Sequence, residues 1–178
     1  MLKWLLLAVV AVCLDLYTKN LATTLLEYRV SVPVTSFFSF TLSHNTGAAF
    51  SFLADQSGWQ RWFFIILTMF VCSILLAWVY RLKAHERWLA VALCLVLGGA
   101  IGNLFDRVVH GYVVDFLHFH YFFNFDSWQW NFNYPVFNLA DSFICIGAVM
   151  MAIDMFRTPK VSETTEALAE SEPAQGEK

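Results

Sequence analysis

Ionisable and amide side chains fall at a few places where the sequence around them is otherwise apolar. Asp15, Thr18 and Lys19 interrupt residues 2–21; Asn103, Asp106 and Arg107 close the stretch that begins at Trp88; Asn138 and Asp141 open residues 136–156. Asp115 stands in the β-branched run Tyr112-Val113-Val114-Asp115-Phe116, eight residues past Arg107. Asp15 and Lys19 are four residues apart, as are Asn103 and Arg107, so each pair shares a helix face. Two carboxylates about 3 Å apart cannot both ionise, so such a pair holds one proton and offers a base and an acid together. Asp115 and Asp141 are the candidates for that arrangement. Spacing alone leaves catalysis and a proton or ion relay both open. Asp15 with Lys19 reads as a structural ion pair, and Asp106 beside Arg107 as structural as well.

The composition dictates which elements hold these groups. Of 178 residues, 58% are apolar, 17% aromatic and 14% charged, with mean hydropathy +0.57. Soluble domains carry roughly 25% charged residues, and a water-soluble fold of this composition would expose oversized apolar patches. Disorder and nucleic-acid binding are excluded by the same scarcity of charge. The net charge of −3 is itself misleading, because five of the 14 acids (Glu163, Glu166, Glu170, Glu172 and Glu177) lie in the last sixteen residues. The rest of the chain carries about +1.

A bilayer span needs about 20 mostly apolar residues, and residues 2–21, 62–80, 88–105 and 136–156 each qualify. The expected fold is an all-α membrane bundle of four transmembrane helices with a small β-rich segment on the outer side. Residues 1–157 form this domain, with outer loops 22–61 and 106–135, and residues 158–178 form a disordered acidic cytoplasmic tail. Lys3 and the apolar run after it resemble a secretory leader, but no small-residue cleavage site follows and Val12 precedes Cys13, so the first span is read as a retained anchor. Lys3, Arg81, Lys83, Arg87, Arg157 and Lys160 fall on one face, against Lys19, Arg29, Arg61 and Arg107 on the other. That bias puts both termini in the cytoplasm. Because the spans alternate in direction, the polar ends of spans one, three and four converge on the outer side. A charge at mid-membrane costs at least about 2.5–3.5 kcal/mol, so this convergence marks the site. Gly98, Gly99 and Gly102 leave room for another helix to approach there.

The outer loops have their own pattern. Residues 28–52 alternate apolar and small polar residues, interrupted by turn chemistry at His44-Asn45-Thr46-Gly47, and read as a small hairpin on the membrane surface. Residues 121–134 concentrate Phe, Trp and Tyr, which suits an anchor at the headgroups. Cys13, Cys72, Cys94 and Cys145 all lie within spans and read as apolar packing residues without disulfides. A transporter would show internal repeats or broken helices. A metal site built from His118 and His120 with His110 or Asp115 would need three convergent ligands. A Gly-x-Gly-Asp intramembrane protease element is absent.

Five segments then appear in order: Asp15-Leu-Tyr-Thr-Lys19, Asn45-Thr-Gly-Ala-Ala-Phe50, Gly98-Gly-Ala-Ile-Gly-Asn-Leu-Phe-Asp-Arg107, Val113-Val-Asp-Phe116 and Phe137-Asn-Leu-Ala-Asp141. Together they resemble the motif set of the lipoprotein signal peptidase (signal peptidase II) family, over residues 1 to about 157. The resemblance implies a bacterial inner-membrane aspartic endopeptidase that cuts prolipoproteins before the diacylglyceryl-modified cysteine. It implies no metal or organic cofactor, contact with membrane lipids, and inhibition by globomycin-type cyclic peptides. A monomer is expected, with no nucleic-acid partner and the active site at the outer face. Carried over residue by residue, it makes Asp115 and Asp141 the catalytic pair. Asn45, Asn103, Arg107 and Asn138 become substrate- or inhibitor-binding residues, and Asp15 and Lys19 bracing positions, with Asp106 kept as structural support on the reading of its neighbours. The stretch His118 to Tyr134 is longer and more aromatic than the family pattern.

Overall fold

The computed structural model describes residues 2–47, 58–125 and 128–157. The helices are α1 (Leu2–Leu25), α2 (Trp59–Arg81), α3 (Arg87–Val109) and α4 (Leu139–Arg157), and the strands are β1 (Ser31–Pro33), β2 (Phe38–Asn45), β3 (Val113–Phe125) and β4 (Trp128–Asn133). All four helices are long and apolar enough to cross a membrane. Their outward faces carry side chains such as Ile66, Phe70 and Val149, each more than half exposed, which suits lipid as the surrounding solvent.

Helix α3 is the central element, packing against each of the other three. Its small residues make this possible. A Cβ at Gly98 would fall 2.7 Å from the Ala11 Cβ of α1, while one at Gly99 would run into the Ala140 carbonyl. Gly147 of α4 meets α3 in the same way, since a Cβ there would fall 2.6 Å from the Ala92 carbonyl. Without a hydrophobic drive between helices in lipid, such close approach supplies the dispersion contact that holds them. At the end of the bundle where residues 82–86 turn α2 into α3, the interior is apolar: Leu75, Val79, Leu82, Leu93 and Leu97 form its core. The opposite end of the interior is polar, and there the sheet docks.

The four strands form one sheet in the order β1-β2-β3-β4, with antiparallel neighbours. A bulge in β2 between Phe40 and Ser43 shifts its register on β3, which sharpens the local twist. The sheet is clasped to the last helix through Phe137. Its carbonyl accepts the N–H groups of Phe116 (3.0 Å) and Leu117 (2.8 Å), and its own N–H is donated to the Leu117 carbonyl at 3.0 Å.

Several elements run differently from the expectation. Helix α1 continues to Leu25, with the Thr23 and Thr24 hydroxyls accommodated by donating to the carbonyls four residues back, at 2.9 and 2.8 Å. Asp106 and Arg107 lie inside α3 rather than in a loop. His44 and Asn45 complete strand β2, and the turn begins only at Thr46, where the Gly47 N–H is donated to Asn45 Oδ1 at 3.0 Å. The aromatic stretch after Asp115 is a long hairpin, since alternation carries β3 through Phe125 and back along β4. Residues 48–52 of the first outer segment and the tail 158–178 lie outside the described residues.

Candidate active site

The site is built from helix-end chemistry. Asp15, fully buried in α1, pairs through Oδ2 with Lys19 Nζ at 2.8 Å one turn on. Its Oδ1 accepts the Ala140 N–H at 2.9 Å. That N–H is one of the first-turn donors of α4, which has no partner inside its own helix. A carboxylate there also complements the positive end of the helix dipole. Gly102 stands directly over Asp15, so closely that any Cβ would strike the carboxylate.

Lys19 directs its three donors to Asp15, to Asp106 Oδ2 at 3.0 Å and to Asn103 Oδ1 at 2.9 Å. The same Asp106 Oδ2 also accepts the Val114 N–H at 3.0 Å and ties the end of α3 to the start of β3. A buried charge left without partners costs several kcal/mol, on the order of 3–5. Here each charge is met by an opposite one or by an N–H or amide oxygen. The pairing of Asp15 with Lys19 is therefore as the spacing suggested, and Asp106 joins the same chain of charges.

Asn138 precedes α4 and caps it. Its Oδ1 accepts the Asp141 N–H at 3.0 Å, while Asp141 Oδ2 accepts the Asn138 N–H at 3.2 Å. This reciprocal bonding is the capping-box arrangement. The Asn138 amide nitrogen is then free to donate twice, to Asp115 Oδ1 at 2.7 Å and to Asn103 Oδ1 at 3.1 Å. Asn103 donates onward to Asp141 Oδ1 at 2.8 Å. Asn45 donates to the remaining oxygen of Asp115 at 3.1 Å. Asp115 and Asp141 thus share one set of amides from α3, β2 and the entry to α4.

The two carboxyls stand in different surroundings. Asp115 is buried on β3, whereas Asp141 is part-exposed. Burial, reinforced by the neighbouring Asp141 charge, pushes the Asp115 pKa up to about 7, against the opposing pull of its Asn45 and Asn138 donors and of Lys19. Environments that separate the proton affinities of two neighbouring carboxyls equip them for acid and base roles.

Arg107 grips backbone. Its Nη2 donates to the Gly47 carbonyl at 3.1 Å, its Nη1 to the Asn103 carbonyl at 3.4 Å, and its guanidinium lies 5.3 Å from the centre of the Phe64 ring. By holding Gly47 it fixes the turn that sets Asn45 against Asp115. Arg61 went unnoticed as a support in the sequence. From the first turn of α2 it donates to the carbonyls of Arg107 and Val108, both at 2.9 Å, and so satisfies the open C-terminal end of α3. An arginine at the start of an apolar span was the one available signal. Beside Asn45, His44 packs between Tyr28 and Tyr112, with ring centres 4.7 and 4.0 Å away.

Four helices long and apolar enough to cross a membrane, closing on a buried polar end where two carboxyls share one amide scaffold, define a multi-pass membrane protein with a candidate enzymatic site at that end. The comparisons agree with that class and narrow it. A family profile described as Signal peptidase (SPase) II matches residues 7–157. Lipoprotein signal peptidases of Pseudomonas paraeruginosa and Pseudomonas aeruginosa are each 52% identical over 163 residues, covering 91% of this chain and 92% of theirs. A solved bacterial membrane enzyme, determined by the in meso method at 2.3 Å resolution, superposes with a TM-score of 0.76 at 30% identity, covering 92% of this chain and 93% of that one. The chain belongs to the signal peptidase II family.

Proposed function

We propose that the chain is an aspartic endopeptidase that removes the signal peptide from lipoprotein precursors, cutting before the diacylglyceryl-modified cysteine. The observation that carries this reading is the joint suspension of Asp115 and Asp141 on Asn138 and Asn103. The names of its relatives, lipoprotein signal peptidases, support the substrate class. Asp115, whose pKa lies near 7, holds the proton in the resting enzyme. Asp141, in the first turn of α4 where negative charge is favoured, serves as base.

In the forward step Asp141 takes a proton from a water molecule as its oxygen bonds to the scissile carbonyl carbon. Asp115 gives its proton to the carbonyl oxygen, which prevents a full oxyanion from forming. Collapse of the tetrahedral intermediate breaks the C–N bond, and Asp141 returns its proton to the departing amine. The diol hydroxyl proton goes back to Asp115, and the pair is restored. Asn45 and Arg107 flank the substrate path, while Asp15, Lys19 and Asp106 keep the three helix ends in register.

The bias of Lys3, Arg81, Lys83, Arg87, Arg157 and Lys160 on one face, against Lys19, Arg29, Arg61 and Arg107 on the other, supports a placement in the bacterial inner membrane with both termini cytoplasmic and the site at the outer face. There water is at hand and the lipid chains of the substrate can stay in the bilayer. Globomycin-type cyclic peptides should occupy the same site. The test is cleavage of a diacylglyceryl prolipoprotein by the purified protein in detergent, beside the unlipidated precursor and with chelator present. Cleavage confined to the lipidated precursor and indifferent to chelator is expected. Failure to cleave it, or abolition by chelator, overturns the reading.

A further inference from the structure

Strand ends open locally unless side chains hold them. Strand β2 ends at Asn45, whose amide nitrogen must stay 3.1 Å from Asp115 Oδ2. Two contacts hold that end. One is the grip of Arg107 on the Gly47 carbonyl, two residues on. The other comes from the residue before. The register pairs Ser43 with Asp115 and His44 with Val114. Successive side chains of a strand point to opposite faces, so His44 leaves the sheet on the face away from Asp115. There its ring stacks on Tyr112, with centres 4.0 Å apart and planes 21° from parallel, and leans on Tyr28 at 4.7 Å and 34°.

Each partner ring is fixed in turn. Tyr28 is bridged to Leu42 of β2, and the Arg29 N–H is donated to the Leu42 carbonyl at 2.9 Å. Tyr112 is delivered by the turn at Gly111, whose φ of +86° suits glycine. Its other ring neighbour is His110, at 5.8 Å, and His110 Nδ1 lies 3.7 Å from Asp106 Oδ1 at the end of α3. The rings thus run as a column from just past α1 to the end of α3, with the end of β2 in the middle. The groups around His44 are two phenols, then His110 beyond Tyr112 and Arg29 over Tyr28, 5.1 Å from its ring centre. Burial and the His110 charge hold the His44 imidazole below its usual pKa. Its Nε2 is buried with no hydrogen-bond partner among the described residues. His44 therefore offers the flat faces of a neutral ring rather than a proton.

We propose that His44 is a positioning residue for the reaction: clamped between Tyr28 and Tyr112, it fixes the end of β2 so that Asn45 keeps its hydrogen bond to Asp115. The hold on Asn45 stands by itself, and its effect on cleavage rests on the peptidase reading. A donor to a carboxylate favours the ionised form, and the Asn45 bond is one of the groups that hold Asp115 down to about 7. Loosening it must let Asp115 rise. The ionisation of Asp115 is followed through its carboxyl carbon resonance in aspartate-labelled full-length protein in detergent, assigned by its loss in Asp115→Asn. In His44→Ala the titration should move up by about half a pH unit, and His44→Phe, which keeps a flat ring, should restore the parental value. Tyr112→Ala should reproduce the shift, and the double variant should add little to either single one, as for residues of one network. If His44→Ala fails to fold, His44→Leu keeps bulk without the flat faces and should shift in the same direction. With the lipidated precursor, the alkaline limb of kcat/KM should move with the titration, and kcat at neutral pH should fall on the order of tenfold. A lowered melting midpoint with the Asp115 titration unmoved makes the stack structural only and overturns the proposal. A shift that persists in His44→Phe also overturns it and assigns the effect to the imidazole itself. The expected titration shift in a protein whose parent cleaves no lipidated precursor upholds the hold on Asn45 and overturns the peptidase reading instead.

Discussion

Asn138 and Asp141 cap the same helix turn for each other: the Asp141 N–H is donated to Asn138 Oδ1 at 3.0 Å, and the Asn138 N–H to Asp141 Oδ2 at 3.2 Å. One capping box therefore starts α4, orients one candidate catalytic carboxyl, and leaves the Asn138 amide free to hold the other. Loss of a helix N-cap alone costs about 1 kcal/mol. At this position it would also release Asp115, so the structural and chemical effects of Asn138 cannot be separated by substituting it. The carboxyls themselves are the cleaner targets.

Replacement of either carboxyl by an amide removes a group that can carry the proton while keeping the side-chain shape. Asp115→Asn and Asp141→Asn should each lower turnover by about 10³-fold, within the range of general acid–base contributions. Circular dichroism in detergent should show retained helix content. Near-parental turnover in either variant would remove that residue from the mechanism.

The pH profile follows from Asp115, whose pKa burial and the Asp141 charge raise to about 7. Below that pH Asp115 keeps its proton and the acid is present. Above it the proton is lost and two anions face each other. The fall in kcat/KM with rising pH should therefore begin near 7, with the slope of a single ionisation. A profile that stays flat on both sides of neutrality would take the proton away from Asp115.

Asp15→Asn tests bracing. The amide oxygen can still accept the Ala140 N–H, but the charge opposite Lys19 is gone. Lys19 keeps Asp106 and Asn103, so the loss should stand near the lower end of the cost of breaking a buried pair, about 3 kcal/mol. Thermal denaturation in detergent should show a lowered midpoint. An unchanged midpoint with lost cleavage would move Asp15 into the chemistry.

Gly102→Ala should disturb the same region by sterics alone, since the added methyl strikes the Asp15 carboxylate. Overpacking of this kind costs about 1–3 kcal/mol. The midpoint should fall and cleavage with it. A Gly58→Ala control, where no atom of the described residues comes within 4 Å of the added methyl, should affect the midpoint only through its backbone conformation, φ +95°.

Much of this arrangement was legible in the residues. Membrane spans announce themselves by apolar length, and the polar residues inside them stand out because lipid penalises them. Asp15 with Lys19 followed from helix periodicity, and Gly98, Gly99 and Gly102 from the need for close helix contact. The convergence of three polar ends followed from alternating span direction. What the chain did not reveal was tertiary. The Asp15 contact with Ala140 joins residues 125 positions apart, and no local pattern encodes it. That Arg107, near the carboxyls, also holds the Gly47 and Asn103 carbonyls is a tertiary fact that its spacing from Asn103 alone did not show. The residues after Asp115 crowd aromatics together and read as an anchor at the headgroups, but that they pair as a hairpin is a tertiary fact. Its alternation emerges only once β4 is laid back along β3.

The clasp at Phe137 has a consequence for how the protein is made. Asp115 arrives on a strand and Asp141 on the last helix, and the two are joined through backbone bonds from Phe137 to Phe116 and Leu117. A ribosome delivers the first three spans and strand β3 before the fourth span exists. On the proposed reading, a chain halted at that stage is proteolytically silent, and so is one whose last span is inserted but whose sheet has yet to close on Phe137. Order of synthesis thus acts as a latency mechanism, and cutting power arrives only with the final fold.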